Sequence, residues 1–139
     1  LKALLSPVPT MDLTGKTRIR QMLAVLYRCG LYIGRDTGTK HLAAAAGVPV
    51  VEISCHSRAV SPTAIPSPVR YGPWGVPHVV VQPEFALPPC NQSCSKNNAH
   101  CIMSISVAQV HTAIEELMAR NAIVDIGKTK TQEEIQPIV

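Results

Sequence analysis

The chain has 139 residues, of which 46% are hydrophobic, and its 13 basic and 9 acidic side chains give a net charge of +4. That length can bury about two thirds of the unfolded surface, so one domain with its own core is expected. The five aromatic residues are too few and too scattered to act as stacking platforms, which argues against nucleic acid as a partner. The longest apolar run, residues 42–51, is about half a membrane span.

The first residues of the chain indicate its cellular location. The chain begins with Leu1 rather than methionine, which suggests processing, an incomplete sequence or a piece of a longer protein. Only three apolar residues separate Lys2 from Ser6, too few for the apolar centre of a signal peptide. We therefore expect a cytoplasmic location with reduced thiols.

Two helices and two strands are predicted in the first part of the chain. Apolar residues at helical spacing indicate a helix from Thr17 to Cys29, and the short apolar run Leu31–Gly34 indicates a buried strand. A second helix is expected at Thr39–Ala46, with Gly47 just past its end, before another buried strand at Val48–Ser54. This alternation predicts an α/β fold, a Rossmann-like parallel sheet flanked by helices.

The later part of the chain contains eight of the twelve prolines between Pro62 and Pro89, which indicates an ordered loop region around one strand at residues 78–82 rather than a second domain. A last helix is expected after Ser106 as its cap. From Asp125 the sequence is polar, so we divide the chain into a domain, 1–124, and a flexible tail, 125–139. The apolar face of that helix is predicted to comprise Val107, Val110, Ile114, Leu117 and Met118.

The polar segment Gly34–His41, "GRDTGTKH", lies between the first strand and the second helix. In open α/β sheets ligands bind beyond the carboxyl ends of strands, where a loop enters a helix whose first N–H groups are unpaired. Gly38 would let a ligand approach the backbone, and the N–H groups from Thr37 to Lys40 would favour an anion. Lys40 and His41 could add side-chain donors.

Asp36 does not suit a bare phosphate site, because a carboxylate repels a diphosphate. It should therefore cap the helix or accept hydrogen bonds from the hydroxyls of a sugar. A ligand with both a diphosphate and a sugar would satisfy the whole segment. The same residues also fit an ordinary capping turn, and spacing alone does not separate the two interpretations.

Residues 12–53, "DLTGKTRIRQMLAVLYRCGLYIGRDTGTKHLAAAAGVPVVEI", resemble the C-terminal half of bacterial heptosyltransferases, glycosyltransferase family nine. That family has a "D-[ST]-G-x-x-H-x-A-A-A-x-G-x-P" run after an "L-[ST]-G" helix. The resemblance continues through "YGPWG" to "CIMSISVAQVHTAI" and covers about residues 11–118. The residues in register are Asp36, Thr37, Gly38, His41, Ala43 to Ala45, Gly47 and Pro49.

The resemblance implies the C-terminal domain of a GT-B glycosyltransferase, which holds the nucleotide sugar. By position, the backbone of Thr37, Gly38 and Thr39 would hold the donor diphosphate, His41 would stand beside it, and Asp36 would face the sugar. The turn at Lys16 and Thr17 should lie near the base or ribose. A contact from Lys40 is inferred from its charge, not from the family.

The reaction implied is inverting transfer of a sugar, typically heptose from an ADP-linked donor, to a lipopolysaccharide core. The glycolipid acceptor and the catalytic base would belong to an N-terminal domain, so no catalytic residue is assigned here, and neither a metal nor another cofactor is expected. Self-association through an apolar face left by that missing domain, and peripheral attachment at the inner face of the inner membrane, are further expectations. After the second strand the chain departs from the family's "F-G-x-T-x-P", which leaves the donor sugar open.

Cysteine usage leaves one alternative open. Cys29 and Cys55 are expected to be buried thiols. The group Cys90, Cys94 and Cys101, with His100 adjacent, has four soft ligands and could form a structural zinc knuckle. Its spacing is not a standard paired one, so buried or disulfide-linked cysteines are preferred and no metal ligand is assigned.

Two other classes of function compete with a sugar-transferase domain. A dinucleotide oxidoreductase is disfavoured because no G-x-G-x-x-G follows a strand. A non-catalytic module, derived from a transferase half and binding a nucleotide or a protein, stays open.

Overall fold

A computed structural model of the chain describes residues 8–59, 67–90 and 100–125, the last five without their side chains. Within these ranges three short strands alternate with helices. The strands are β1 (Tyr32–Arg35), β2 (Val50–Ile53) and β3 (His78–Val81); the helices are α1 (Ile19–Tyr27), α2 (Gly38–Ala45), α3 (Pro68–Tyr71) and α4 (Val107–Asp125), with a 3₁₀ turn at Cys101–Ser104.

The strands form one parallel sheet in the order β1-β2-β3. Tyr32 lies opposite Val50, and Val50 lies opposite His78, so the three strands begin and end in register. Each parallel connection requires a crossover, and α2 provides the first one. The predicted α/β fold with a Rossmann-like parallel sheet is confirmed.

Apolar side chains pack on both faces of the sheet. Val50 packs with Leu26 of α1 and Ala43 of α2. Its neighbour Val51 points to the other face and packs with Ala113 and Leu117 of α4. Because side chains alternate along a strand, Glu52 shares the face of Val50 and therefore lies toward α2.

The ends of the first two helices follow from local chemistry. The Arg18 N–H donates to Gln21 Oε1 at 2.9 Å, so α1 begins at Ile19, two residues after the predicted start. At the end of α2, Gly47 adopts a φ of +74°, as its position just past the helix requires. Cys29, predicted to be buried, is exposed because it lies beyond the end of α1.

Helix α4 begins with the predicted cap. Ser106 Oγ accepts from the Gln109 N–H at 3.2 Å, and Gln109 Oε1 accepts from the Ser106 N–H at 2.7 Å. The predicted apolar face was wrong at two positions, since Val107 is 87% and Met118 48% exposed. The face that packs on the sheet is centred on Ala113 and Leu117. Val107 and Met118 fall outside this face.

Helix α4 reaches Asp125, where the predicted tail was to begin, and residues 126–139 lie outside the described residues. None of the helices in the described ranges is both long and apolar enough to cross a membrane.

Candidate functional site

The strands β1, β2 and β3 end at one edge of the sheet, because they are parallel and in register. The segments that leave this edge begin at Asp36, Ser54 and Gln82. In open α/β sheets this is the edge where ligands bind. The predicted site therefore lies on the side of the fold where the topology favours a ligand.

Helix α2 begins at this edge with its first turn open to an anion. Its N-cap residue, Thr37, makes no side-chain capping hydrogen bond, and no acidic residue lies in the first turn. Instead, Thr37 Oγ1 lies 3.4 Å from the Arg35 carbonyl oxygen, to which it donates. The first N–H groups of a helix have no partner within it and carry part of the positive end of the dipole.

Gly38 occupies the first position of α2, and its conformation does not require a glycine. A Cβ built on Gly38 meets no atom within 4 Å, and its φ is not in the left-handed region. The space in front of this residue is therefore open. A ligand can approach the backbone here, and a side chain would fill the space that the ligand needs.

The Lys40 side chain points into the protein and is fully buried. Its Nζ donates to Asp36 Oδ1 at 2.6 Å, to Glu52 Oε2 at 3.1 Å and to the Tyr71 carbonyl oxygen. Lys40 thus ties α2 to the end of β1, to β2 and to the end of α3. A direct contact between Lys40 and a ligand, as expected from the charge of Lys40, would require these hydrogen bonds to break. In the structure Lys40 instead fixes the Asp36–Thr37 turn.

Glu52 is the buried partner that sequence analysis missed. Its side chain is inaccessible, and Oε1 has no hydrogen-bond partner among the described residues. Burial raises the pKa of Glu52, while the hydrogen bond and charge of Lys40 act in the opposite direction. A lone glutamate in an apolar strand was the available signal, because a buried carboxylate requires a partner.

Asp36 lies at the mouth of the site. Its side chain is 33% exposed, and the residue that occupies the N-cap position is Thr37, so Asp36 does not cap α2. Lys40 partly offsets its charge, which reduces the repulsion that a diphosphate would meet. The carboxylate thus keeps a fixed position with part of its surface open to solvent.

Two of the remaining predicted site residues lie on α2, next to the Asp36–Thr37 turn. His41 is exposed on the first turns of α2, and Thr39 is half-buried. Lys16 and Thr17 lie in the turn just before α1, and their position near the base or ribose stays a prediction. The Lys16 Nζ donates to the Asp12 carbonyl oxygen at 3.0 Å.

A small open pocket of about 290 Å³ lies near the end of β2. His56 and Ser57 line it and are buried, and Ser57 Oγ has no hydrogen-bond partner within the described ranges. Gln82 Nε2 donates to the His56 carbonyl oxygen at 2.9 Å, which joins the segments after β2 and β3. The polar run "SCHSR" directly after a buried strand was the signal for this pocket, and it falls where the chain departs from the family sequence.

The cysteine group is only partly described. Cys90, His100 and Cys101 come together at the 3₁₀ turn that precedes α4, whereas Cys94 lies outside the described residues. Cys55, expected to be buried, is partly exposed.

Comparisons with known proteins agree with the geometry. The profile of Glycosyltransferase family 9 (heptosyltransferase) matches residues 1–100. Among solved structures, that of the glycosyl transferase family 9 from Veillonella parvula DSM 2008 matches with a TM-score of 0.57 and 26% identity, over 76% of this chain and 28% of that chain. This chain thus spans little more than a quarter of that structure's length, and no curated protein matches it. Because the family profile covers well over half of its residues, the chain belongs to glycosyltransferase family 9.

Proposed function

We propose that the chain is the donor-binding domain of an inverting glycosyltransferase, the C-terminal half of a GT-B enzyme. The observation that carries the proposal is the open start of α2 at Gly38, next to an Asp36 carboxylate fixed by a buried ion pair. The donor would be a nucleotide diphosphate sugar, ADP-heptose or a close analogue. The acceptor, a lipopolysaccharide core or related glycan, would be held by another domain.

The diphosphate of the donor would lie against the backbone of Thr37, Gly38 and Thr39. Support comes from the uncapped first turn of α2 and from the open space at Gly38. Negative charge builds up on the diphosphate as the bond to the sugar breaks. Fixed N–H groups and the helix dipole stabilise that charge without reorganisation, so this part of the reaction would need no metal ion.

The sugar would lie beside Asp36. A carboxylate held by Lys40 can accept hydrogen bonds from sugar hydroxyls without having to be oriented on binding. His41 is exposed on the neighbouring turn and would stand beside the diphosphate. The nucleoside would extend toward Lys16 and Thr17 at the start of α1.

The proposal assigns no general base to this chain. An inverting transfer requires a group that removes the proton from the acceptor hydroxyl, and we place that group in the domain that holds the acceptor. We therefore expect this chain to bind the donor and to transfer no sugar by itself.

Calorimetric titration of the chain with ADP, UDP and ADP-heptose tests the proposal, with Asp36→Asn as the informative variant. Asparagine keeps an oxygen that can accept from Lys40 but loses the charge. Loss of a charged hydrogen bond costs about 1.5–3 kcal/mol, so we expect ADP-heptose to bind about tenfold more weakly or worse. ADP itself should bind as well as before, or slightly better, because a negative charge has been removed.

Glu115→Gln is the matched control, since it removes the charge of an exposed carboxylate on α4, which packs on the other face of the sheet from α2. It should leave the affinity for all three ligands unchanged. If Asp36→Asn weakened ADP and ADP-heptose equally, the sugar would not lie beside Asp36. If no nucleotide bound to the folded chain, donor binding would be refuted and a non-catalytic interaction module would take its place.

A further inference from the structure

The second cluster of reactive side chains lies far from α2 in the sequence, where the segment after β3 meets the 3₁₀ turn before α4. Cys90 Sγ lies 3.5 Å from His100 Nδ1, and Cys101 Sγ lies 3.6 Å from the same nitrogen. All three ligand atoms lie within 4.8 Å of one another. Both cysteines are buried, at 8% and 2% exposure.

We propose that Cys90, His100 and Cys101 bind a divalent cation of the zinc class. In tetrahedral zinc sites the Zn–S distance is about 2.3 Å and the Zn–N distance about 2.0–2.1 Å, which places a sulfur and a nitrogen of the same site about 3.6 Å apart. The two sulfur–nitrogen distances in this cluster have that length. Two thiolates and one imidazole are also soft ligands, which suit zinc better than they suit harder cations such as magnesium.

The surroundings of the sulfur atoms support the same conclusion. The Leu87 N–H donates to Cys101 Sγ at 3.4 Å, and hydrogen bonds of this kind help to hold a negatively charged sulfur. The Leu87 carbonyl oxygen in turn accepts from the Cys90 N–H at 2.9 Å, which closes a turn that presents Cys90. Three described ligands define the site; Cys94 lies outside the described residues.

The bound ion would have a structural role. It would join the turn Leu87–Cys90 to the turn Cys101–Ser104, which leads into α4. Helix α4 covers one face of the sheet through Ala113 and Leu117. Metal binding would therefore hold the start of α4 against the sheet. This proposal differs from the expectation from the sequence, which preferred buried or disulfide-linked cysteines without a metal.

Titration of the reduced, metal-free chain with cobalt(II), used as a spectroscopic substitute for zinc, tests the proposal. We expect one equivalent to bind, with a sulfur-to-metal charge-transfer band and the intense visible bands of a tetrahedral ion, and zinc should displace it. Cys90→Ser, Cys101→Ser and His100→Ala should each weaken binding by about tenfold or more. Cys29→Ser, which changes an exposed cysteine at the end of α1, should leave the titration unchanged.

A second measurement guards against variants that simply do not fold. In the unaltered chain, zinc should raise the midpoint of thermal unfolding, and the increase should disappear at low pH, where the ligands hold their protons. Absence of the cobalt bands in the folded, reduced chain would overturn the proposal. So would bands that survive all three substitutions, or a Cys90–Cys101 disulfide that persists under reducing conditions.

Discussion

The Lys40 ammonium group lies 3.1 Å from Glu52 Oε2, and both side chains are completely buried. Lys40 also holds Asp36, at 2.6 Å, so one cation is shared by a carboxylate in the core and a carboxylate at the mouth of the site. The proposed sugar-binding residue is thereby tied to the centre of the sheet. In this protein the stability of the fold and the geometry of the site depend on the same side chain.

Replacement of Lys40 by methionine should strongly destabilise the fold. Lys40→Met leaves Glu52 buried without an opposite charge, and removal of one partner of a buried pair costs about 3–5 kcal/mol. Denaturant unfolding monitored by circular dichroism measures the loss. Lys16→Met, at an exposed lysine, is the control and should change the free energy of unfolding by no more than about 0.5 kcal/mol.

The double variant Lys40→Met, Glu52→Leu should recover most of that loss. With both partners replaced by apolar groups, no uncompensated charge stays in the core, and such replacements are often neutral. A double variant as unstable as Lys40→Met alone would show that the pair does not act as a unit.

The stability contributed by Glu52 should depend on pH. Burial raises the pKa of Glu52, Asp36 adds to the increase, and Lys40 and His41 oppose it. The native state then holds the proton more tightly than the unfolded state. This contribution is fully present below the ordinary glutamate pKa, about 4.3, and is lost as the pH rises through the raised value.

We therefore expect the free energy of unfolding of the unaltered chain, minus that of Glu52→Gln, to decrease as the pH rises from about 4 to 7. The comparison removes the contributions of groups that titrate in both proteins. Chemical unfolding at several pH values measures it. A difference that grows with pH would mean that Lys40 outweighs burial at this carboxyl.

The cap of α4 should be worth about 1 kcal/mol. Ser106→Ala removes the oxygen that accepts from the Gln109 N–H, and Gln109→Ala removes the oxygen that accepts from the Ser106 N–H. The two bonds form one capping box, so the double variant should lose less than the sum of the single losses. Equal and fully additive losses in urea unfolding would argue against a reciprocal cap.

The sequence predicts the local elements well because each depends on nearby residues. Gly47 ends α2 and Ser106 begins α4 through interactions that span only a few positions. The direction in which a side chain points depends on tertiary packing, which local spacing does not contain. For that reason the spacing predicts Cys29 and Val107 to be buried, although both are exposed in the structure.

In the candidate site, too, some features follow from local sequence and others depend on tertiary packing. The position of Thr37 and Gly38 at a helix start follows from the order of strand, loop and helix. That Lys40 turns inward toward Glu52, twelve residues away and on the neighbouring strand, follows only from the pairing of β1 with β2. The contact between His100 and the two cysteines likewise depends on how the segment after β3 folds back toward α4.

We propose that the start of α2 holds the donor diphosphate, and Gly38→Val fills the space that the diphosphate would occupy. A Cβ meets no atom within 4 Å at Gly38 or at Gly30, and Gly30 precedes β1 at the opposite edge of the sheet, so Gly30→Val is the matched control. We predict that calorimetry will show ADP binding to the unaltered chain and to Gly30→Val with the same affinity. Gly38→Val should bind at least about tenfold more weakly while remaining folded, since the added side chain fills the space that the diphosphate needs. Equal binding of ADP by Gly38→Val and the unaltered chain would mean that the diphosphate does not lie at the start of α2.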